Sequence, residues 1–249
     1  MMELLGIDVG GTGIKGAIVD VNSGTLLTER LKLKTKKPAN PASVGNQVLE
    51  LIDLLGYNGD KVGIGFPSVI KNGISLTASN VDDEWLNYPI RDHFAQALNK
   101  DVYMINDADA AGIAEFTFTD TIPKKGLTIV LTIGTGIGSA FFYNGVLVPN
   151  TEFGQLNYKK GIAEHYVSNA ARENGDLSWE EWGKELNKYI KHLDYILRPE
   201  LFILGGGVSK KLAKYKKYLT VETPVISATL LNQAGVIGAA LAAYRQLSY

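Results

Sequence analysis

Apolar positions along the chain arrive in short β-rich runs broken by glycine. LLGIDV (4–9) and IKGAIVDV (14–21) are hinged on Gly10, Gly11 and Gly13, and TLLTERLKLKTK (25–36) largely alternates apolar with polar residues, as a strand with one wet face does. Together they read as a three-strand antiparallel meander. Ser43 is a possible N-cap for VGNQVLELIDLL, whose apolar spacing suits an amphipathic helix, and VGIGFP then returns as a buried strand. A polar turn at 71–73 and a helix near 89–99 precede DVYMINDAD, whose strand ends at Asn106 and Asp107.

The second half repeats this grammar. LTIVLTIGTGIGSAFFYNGVLVP (127–149) is again strand, glycine turn, strand, turn and strand, with glycines placed as in residues 4–33. Helices near 161–173 and 178–197 follow. Next come the buried strand LFILGGG, a Lys-rich helix from Ser209, the short strand PVISA and an Ala-rich final helix from Asn232. Two copies of one pattern predict two similar α/β domains. The last helix needs a surface to pack on, and a return to the first domain supplies one. The expected domains are therefore 1–117 with 230–249, and 118–229.

Composition narrows the chemistry. The 249 residues are 45% apolar with a formal net charge of −1, so no sequence-wide field draws the chain to nucleic acid or an anionic membrane. There is no cysteine, which removes disulfides, thiol nucleophiles and cysteine-ligated metals. His93, His165 and His192 lack metal-ligand spacing and read as solvated or hydrogen-bonded side chains, so no zinc is expected. The N-terminus lacks the basic start and long apolar stretch of a signal peptide, and no apolar run is long enough for a bilayer, so a cytoplasmic location is expected.

Four segments carry candidate chemistry. In GIDVGGTGIKGAIVD, Gly10, Gly11 and Gly13 let backbone amides approach an anion; Asp8 can hold a hydrated magnesium ion, and Thr12 and Lys15 complete a phosphate site. TIGTGIGSA places Gly134, Thr135, Gly136 and Gly138 between apolar strands, as either a second phosphate turn or a plain hairpin. If the two domains face each other, a phosphate chain would lie in the cleft between them. In INDADAAGIAE, Asn106 and Asp107 end a buried strand, where an open α/β sheet presents ligand-binding groups. Asp107 there either accepts the proton of an attacking hydroxyl or caps the helix that follows. LGGGVS, with Gly206 and Gly207, joins a strand to a helix that can receive a nucleotide phosphate, unless it is simply a close turn. The lysines at 210, 211, 214, 216 and 217, with Lys32, Lys34, Lys36 and Lys37, are either a solvated face or an attraction for a long polyanion.

Read in order, GIDVGGTGIKGA, GFPSVI, NDADAAGIAE, TIGTGIGSA, EFGQL, AEHYVS, LSWEEW, LFILGGGVS and NQAGVIGAALAA resemble the ROK family of sugar kinases and repressors, and within it the polyphosphate glucokinases, over nearly the whole chain. The resemblance implies an actin-like ATPase (ribonuclease H-like) α/β fold whose two similar domains flank a cleft. It implies transfer of a phosphoryl group from polyphosphate or ATP, with Mg2+, to the 6-hydroxyl of glucose, and a homodimer. By the same resemblance Asp107 is the base, Asn106 binds the sugar, and Asn80, Glu152 and Glu164 contact further hydroxyls. Asp8, Thr12 and Lys15, with Gly134 to Gly136, fall on the donor phosphates and magnesium.

Two departures stand out. Most ROK kinases carry a cysteine-rich zinc motif before the last sugar-binding glutamate, where this chain has YKKGIAE, as zinc-free polyphosphate glucokinases do. Where the family has the histidine of Glu-x-Gly-His, this chain has Gln155, which hydrogen-bonds but carries no positive charge. An ATP-dependent ROK kinase for another hexose or amino sugar and a non-catalytic sugar-binding ROK protein stay open as alternatives. A repressor is not expected, because its N-terminal DNA-binding module would precede a strand that here begins at residue 4.

Overall fold

Strand β1 (Glu3–Gly10) folds back on β2 (Gly13–Asp20) with Asp8 opposite Lys15 and Gly10 opposite Gly13, so Gly11 and Thr12 form the turn. The computed structural model describes residues 2–78 and 80–247. Met1, Ser79, Ser248 and Tyr249, which the expected domain ranges include, lie outside the described residues. The chain divides into two compact units, Met1–Phe118 with Gln233–Tyr249, and Thr119–Asn232.

In the first unit β3 (Thr25–Leu26) and β4 (Leu31–Leu33) both pair antiparallel with β2. The continuous strand expected over 25–36 is interrupted because the Thr28 hydroxyl, not a backbone carbonyl, accepts the N–H of Ile18 at 3.1 Å. Helix α1 (Pro41–Leu55) follows, capped by Asn40, whose side chain accepts from Ser43 N at 3.0 Å. The expected cap Ser43 is thus the third residue of the helix, and Pro41 takes the first helical position, where its missing N–H does no harm. β5 (Lys61–Phe66) then adds parallel to β1. After a small hairpin of β6 (Ile70–Lys71) and β7 (Ile74–Ser75) and helix α2 (Ile90–Leu98), β8 (Asp101–Asn106) adds parallel to β5 and runs directly into α3 (Asp107–Phe118).

The second unit repeats the plan with β9 (Leu127–Ile133), β10 (Ile137–Tyr143) and β11 (Val146–Val148) antiparallel. A short hairpin, β12 (Asn157–Tyr158) and β13 (Gly161–Ile162), leads into α4 (Glu164–Val167), α5 (Asn169–Asn174) and the long α6 (Trp179–Leu197). The single helix expected at 161–173 is split at Ser168, which leaves helical geometry (ψ 162°) and caps α5 through Ala171 N. β14 (Leu201–Gly206) and β15 (Val225–Ser227) complete the sheet in parallel. The Lys-rich stretch between them is a four-residue helix, α7 (Leu212–Tyr215), flanked by 3-10 turns, and not one continuous helix. The strand orders β3-β2-β1-β5-β8 and β11-β10-β9-β14-β15 are the same: a meander followed by two parallel strands.

Each sheet buries its own core. Ile7, Ile64, Phe66, Trp85 and Phe94 are fully buried in the first unit, and Leu131, Trp182, Tyr189 and Phe202 in the second. Among the described residues no helix is long and apolar enough to cross a membrane.

The final helix, α8 (Ala234–Arg245), belongs to the first unit. It lies on the sheet backbone to backbone. A Cβ on Gly6 of β1 would overlap the carbonyl oxygen of Val236, one on Gly63 of β5 that of Ala239, and one on Gly238 of α8 that of Ala110 in α3. Glycines in two strands and in the helix therefore set the helix height, and the alanines of AGVIGAALAA fill the gap that remains. Gly63→Ala should lower stability by about 3 kcal/mol, read as a fall of roughly 5–10 °C in the thermal midpoint. Gly207→Ala, with nothing within 4 Å of the added carbon, should leave it unchanged; equal midpoints for the two variants would refute the packing argument.

Candidate functional site

The parallel register brings the carboxyl ends of three strands into line. Asp8 of β1 sits beside Gly65 of β5, Gly65 beside Ile105, and Phe66 beside Asn106 of β8. Chain direction reverses or turns into helix at this edge, so its side chains and loops are the ones an α/β sheet offers to a ligand.

Asp107 is the first residue of α3 and is partly exposed. Its Oδ1 accepts from Ala108 N at 2.8 Å. Asn106 does the capping: its Oδ1 accepts from Ala108 N at 2.9 Å and Asp109 N at 3.1 Å, and its Nδ2 donates to Ser68 O at 3.0 Å. Asn106 is buried, and these bonds turn its amide toward the helix start and the 66–69 loop. Burial, followed by the like charge of Asp8, pushes the Asp107 carboxyl up to about 6; the Ala108 amide and Lys15 oppose the shift.

Asp8 accepts a hydrogen bond and ion pair from Lys15 Nζ at 2.8 Å. It also lies against the N-terminus of α8, where a Cβ on Gly235 would come within 3.1 Å of the carboxyl carbon. A carboxylate at a helix N-terminus is favoured by the unpaired amides there. The first glycine turn is close-packed: a Cβ on Gly11 would meet Asn80 O at 2.5 Å and one on Gly13 would meet Lys32 Cε at 2.5 Å. Asn80, exposed and at φ 63°, thus borders the turn whose tip, Thr12, is also exposed. Thr35 pins the near side by donating to Gly10 O at 2.7 Å.

In the second unit the glycine turn and the expected sugar-contact residues meet around one carboxylate. Glu164, at the start of α4, accepts from Ile137 N at 3.2 Å through Oε2 and from Gln155 Nε2 at 3.1 Å through Oε1. A Cβ on Gly136 would lie 2.5 Å from Glu164 Oε2, so glycine is what admits the carboxylate. Gly134 O accepts from Asn169 N and Ala170 N at the start of α5. Thr135 is exposed. Glu152 precedes the 3-10 turn Phe153–Gln155, which is held by Tyr189 OH donating to Phe153 O at 2.9 Å and by Phe153 N donating to Ser139 Oγ at 3.0 Å. At the end of β14, Gly206 adopts φ 76° and Gly207 is exposed; Ser209 Oγ donates to Gly206 O at 2.8 Å. Among the described loop glycines at 10–13, 134–138 and 206–207, Gly206 alone has positive φ.

The structure thus gathers Asp8, Lys15, Asn106 and Asp107 at one edge, with Asn80 bordering the adjoining glycine turn, and gathers Gly136, Gln155 and Glu164 at another. Sequence reasoning missed Ser68, which orients Asn106, and Gly235, which seats Asp8. Their only signals were GFPS after a buried strand and NQAG before the last helix.

Comparison with known proteins bears on the family and the fold. The model of the ROK family matches residues 4–154. A polyphosphate glucokinase of Mycobacterium tuberculosis (strain CDC 1551 / Oshkosh) is 42% identical over 238 residues, covering 95% of this chain and 89% of that protein. The crystal structure of an inorganic polyphosphate/ATP-glucomannokinase from Arthrobacter sp. strain KM superposes with a TM-score of 0.94 at 43% identity, covering 99% of this chain and 100% of that one. A ROK family glucokinase from Streptomyces griseus, in complex with glucose and AMPPNP, shares the fold at a TM-score of 0.84 and 24% identity, covering 98% of this chain and 100% of that one. The fold is the actin-like one of those kinases, and the chain belongs to the ROK family.

Proposed function

We propose that this chain is a glucokinase that transfers a phosphoryl group from inorganic polyphosphate or ATP to the 6-hydroxyl of glucose, with Asp107 as general base. The observation that carries the reading is Asp107 itself: a carboxylate at the carboxyl edge of a sheet, held at a helix start, with its pKa raised to about 6. A base poised near neutrality holds little proton at working pH yet accepts one readily in the transition state. The hydroxyl oxygen forms a bond to the terminal phosphorus, the bond to the shortened polyphosphate or ADP breaks, and the hydroxyl proton passes to Asp107.

In this reading the turns Gly10 to Gly13 and Gly134 to Gly136, with Lys15, hold the donor phosphates, and Gly206 and Gly207 receive the nucleotide when ATP is used. Asn80, Glu152, Gln155 and Glu164 contact sugar hydroxyls. Asn106 acts mainly by fixing the start of α3, since its oxygen already serves two backbone amides. The residues also fit a donor-borne Mg2+. The charge of Asp8 disfavours the charged form of Asp107, a condition a cation relieves, and Mg2+ binds through one or two carboxylates plus substrate phosphates rather than a dedicated protein cage. Bound there, it would neutralise charge on the phosphates. The family reading further suggests a cytoplasmic homodimer.

Polyphosphate as donor is supported by the naming of the Mycobacterium and Arthrobacter relatives and by the exposed lysines at 210, 211, 214, 216 and 217. Mannose becomes a second acceptor to test, because the Arthrobacter enzyme is a glucomannokinase. Initial rates with long-chain polyphosphate and with ATP, on glucose and on mannose, test the function directly; no glucose 6-phosphate from either donor would end the proposal.

Asp107→Asn should lower kcat by at least about 10²-fold while isothermal titration still reports glucose binding; near-normal kcat removes Asp107 from the role. For the native enzyme, kcat/KM should be flat above pH 7 and fall about tenfold per unit below an apparent pKa near 6, as Asp107 takes up its proton. Stability should move the other way. The folded-state value of about 6 lies above the ordinary 3.8, so the folded protein binds this proton more tightly, and stability is lost as pH rises between those values. Asp107→Asn escapes that loss, so its melting temperature should exceed the native one at pH 8 and match it at pH 4.

A further inference from the structure

The hairpin β12–β13 has only two residues in each strand, and a hairpin of that size has little stability of its own. Its turn is strained as well, with Lys159 at φ 53°. Yet it runs through Ala163 directly into Glu164, the carboxylate that meets Gln155 and the second glycine turn. Something outside the hairpin must fix it.

That fixture is Glu185 on α6, whose side chain is only 14% exposed. It accepts from Tyr158 OH at 2.8 Å and from Lys188 Nζ at 3.2 Å, and pairs with Lys159 Nζ. Burial alone would raise its pKa, but bonds from Lys159, Tyr158 and Lys188 outweigh that and lower it. The same ammonium of Lys159 lies 4.9 Å from the ring centre of Tyr166 and 5.6 Å from that of Tyr158. Tyr166 is two residues beyond Glu164 on α4, and Tyr158 meets both Tyr166 and Tyr189 edge-on at 5.8 and 6.1 Å. Tyr189 is the residue that holds the Phe153–Gln155 turn. One carboxylate therefore anchors the residues before Glu164, those after it, and the turn that carries Gln155.

We infer that Glu185 is a positioning residue for the acceptor sugar: its ion-pair staple to Lys159 and Tyr158 sets the direction in which Glu164 and Gln155 are presented. The inference rests on the reading of Glu164 as a sugar contact. The staple makes no bond of its own to the phosphate turns and reaches the second of them only through Glu164 Oε2, so its effect falls chiefly on sugar affinity.

The test compares Glu185→Gln, Tyr158→Phe, Glu164→Gln and the double variant Glu185→Gln/Glu164→Gln in steady-state kinetics at saturating donor. Glu185→Gln should raise KM for glucose about tenfold, with kcat and donor KM within twofold of native. Tyr158→Phe, which removes one donor to Glu185 and keeps the ring packing, should give a smaller shift in the same direction, and serves if Glu185→Gln does not fold. The double variant should fall well short of the product of the two single effects, since both act through the side chain at position 164. A raised KM in Glu164→Gln with an unchanged one in folded Glu185→Gln, or in Tyr158→Phe where Glu185→Gln does not fold, overturns the positioning role. So does a lowered melting temperature as the only effect of Glu185→Gln. An unchanged KM in Glu164→Gln overturns the sugar-contact reading itself, and this inference with it.

Discussion

The first unit depends on how closely its last helix approaches its sheet. With Gly6 and Gly63 under α8, and Gly238 against α3, contact is made by backbone on both sides, and the helix sits lower than side chains of ordinary size would allow. This closeness is what puts Gly235, at the helix start, against the carboxyl group of Asp8. Close packing has little slack, so β1, β5 and α3 are tied to one helix, and the edge that carries Asp8 and Asp107 inherits their rigidity.

On that edge the charges are deliberately unequal. Asp8 has Lys15 at 2.8 Å and lies against the start of α8, whereas Asp107 has one backbone amide, a crowded surround and Asp8 as an unfavourable neighbour. Such unequal surroundings suit the two carboxylates to different work in the proposed reaction. In the proposed reaction Asp8, paired with Lys15, serves the donor phosphates and their cation, and Asp107, its carboxyl pushed up to about 6, takes the proton. Asn106 supports the division by taking over the capping of α3.

The second unit solves a related problem with carboxylates that organise loops. Glu164 accepts from a backbone amide in the glycine turn and from Gln155, so a change in one is felt by the other. Glu185, nearly buried, satisfies three donors, among them two lysines, and joins a marginal hairpin to a long helix. Ion pairs on an open surface contribute little, but a half-enclosed carboxylate with several donors and aromatic rings around its lysine is a geometric constraint as much as a stabilising one.

Glycine spacing and apolar runs were enough to locate the paired meanders, the strand that ends at Asn106 and the small-residue last helix, because each depends on local periodicity and on backbone freedom written into single residues. The family was legible for the same reason, in the ordered run of motifs from GIDVGGTGIKGA to NQAGVIGAALAA. Local reading failed where a polar side chain inside or beside a segment competed for backbone hydrogen bonds. Thr28 took a ladder bond and broke a strand, Ser168 interrupted a helix, and Asn40 displaced Ser43 as a cap. Only the tertiary structure decided that the Ser68 carbonyl holds the Asn106 amide against the start of α3, that Gly235 backs Asp8, and that Glu185 steers the stretch before Glu164. Those outcomes turn on hydrogen-bond competition and close approach between residues distant in sequence, which no pattern of neighbours along the chain encodes.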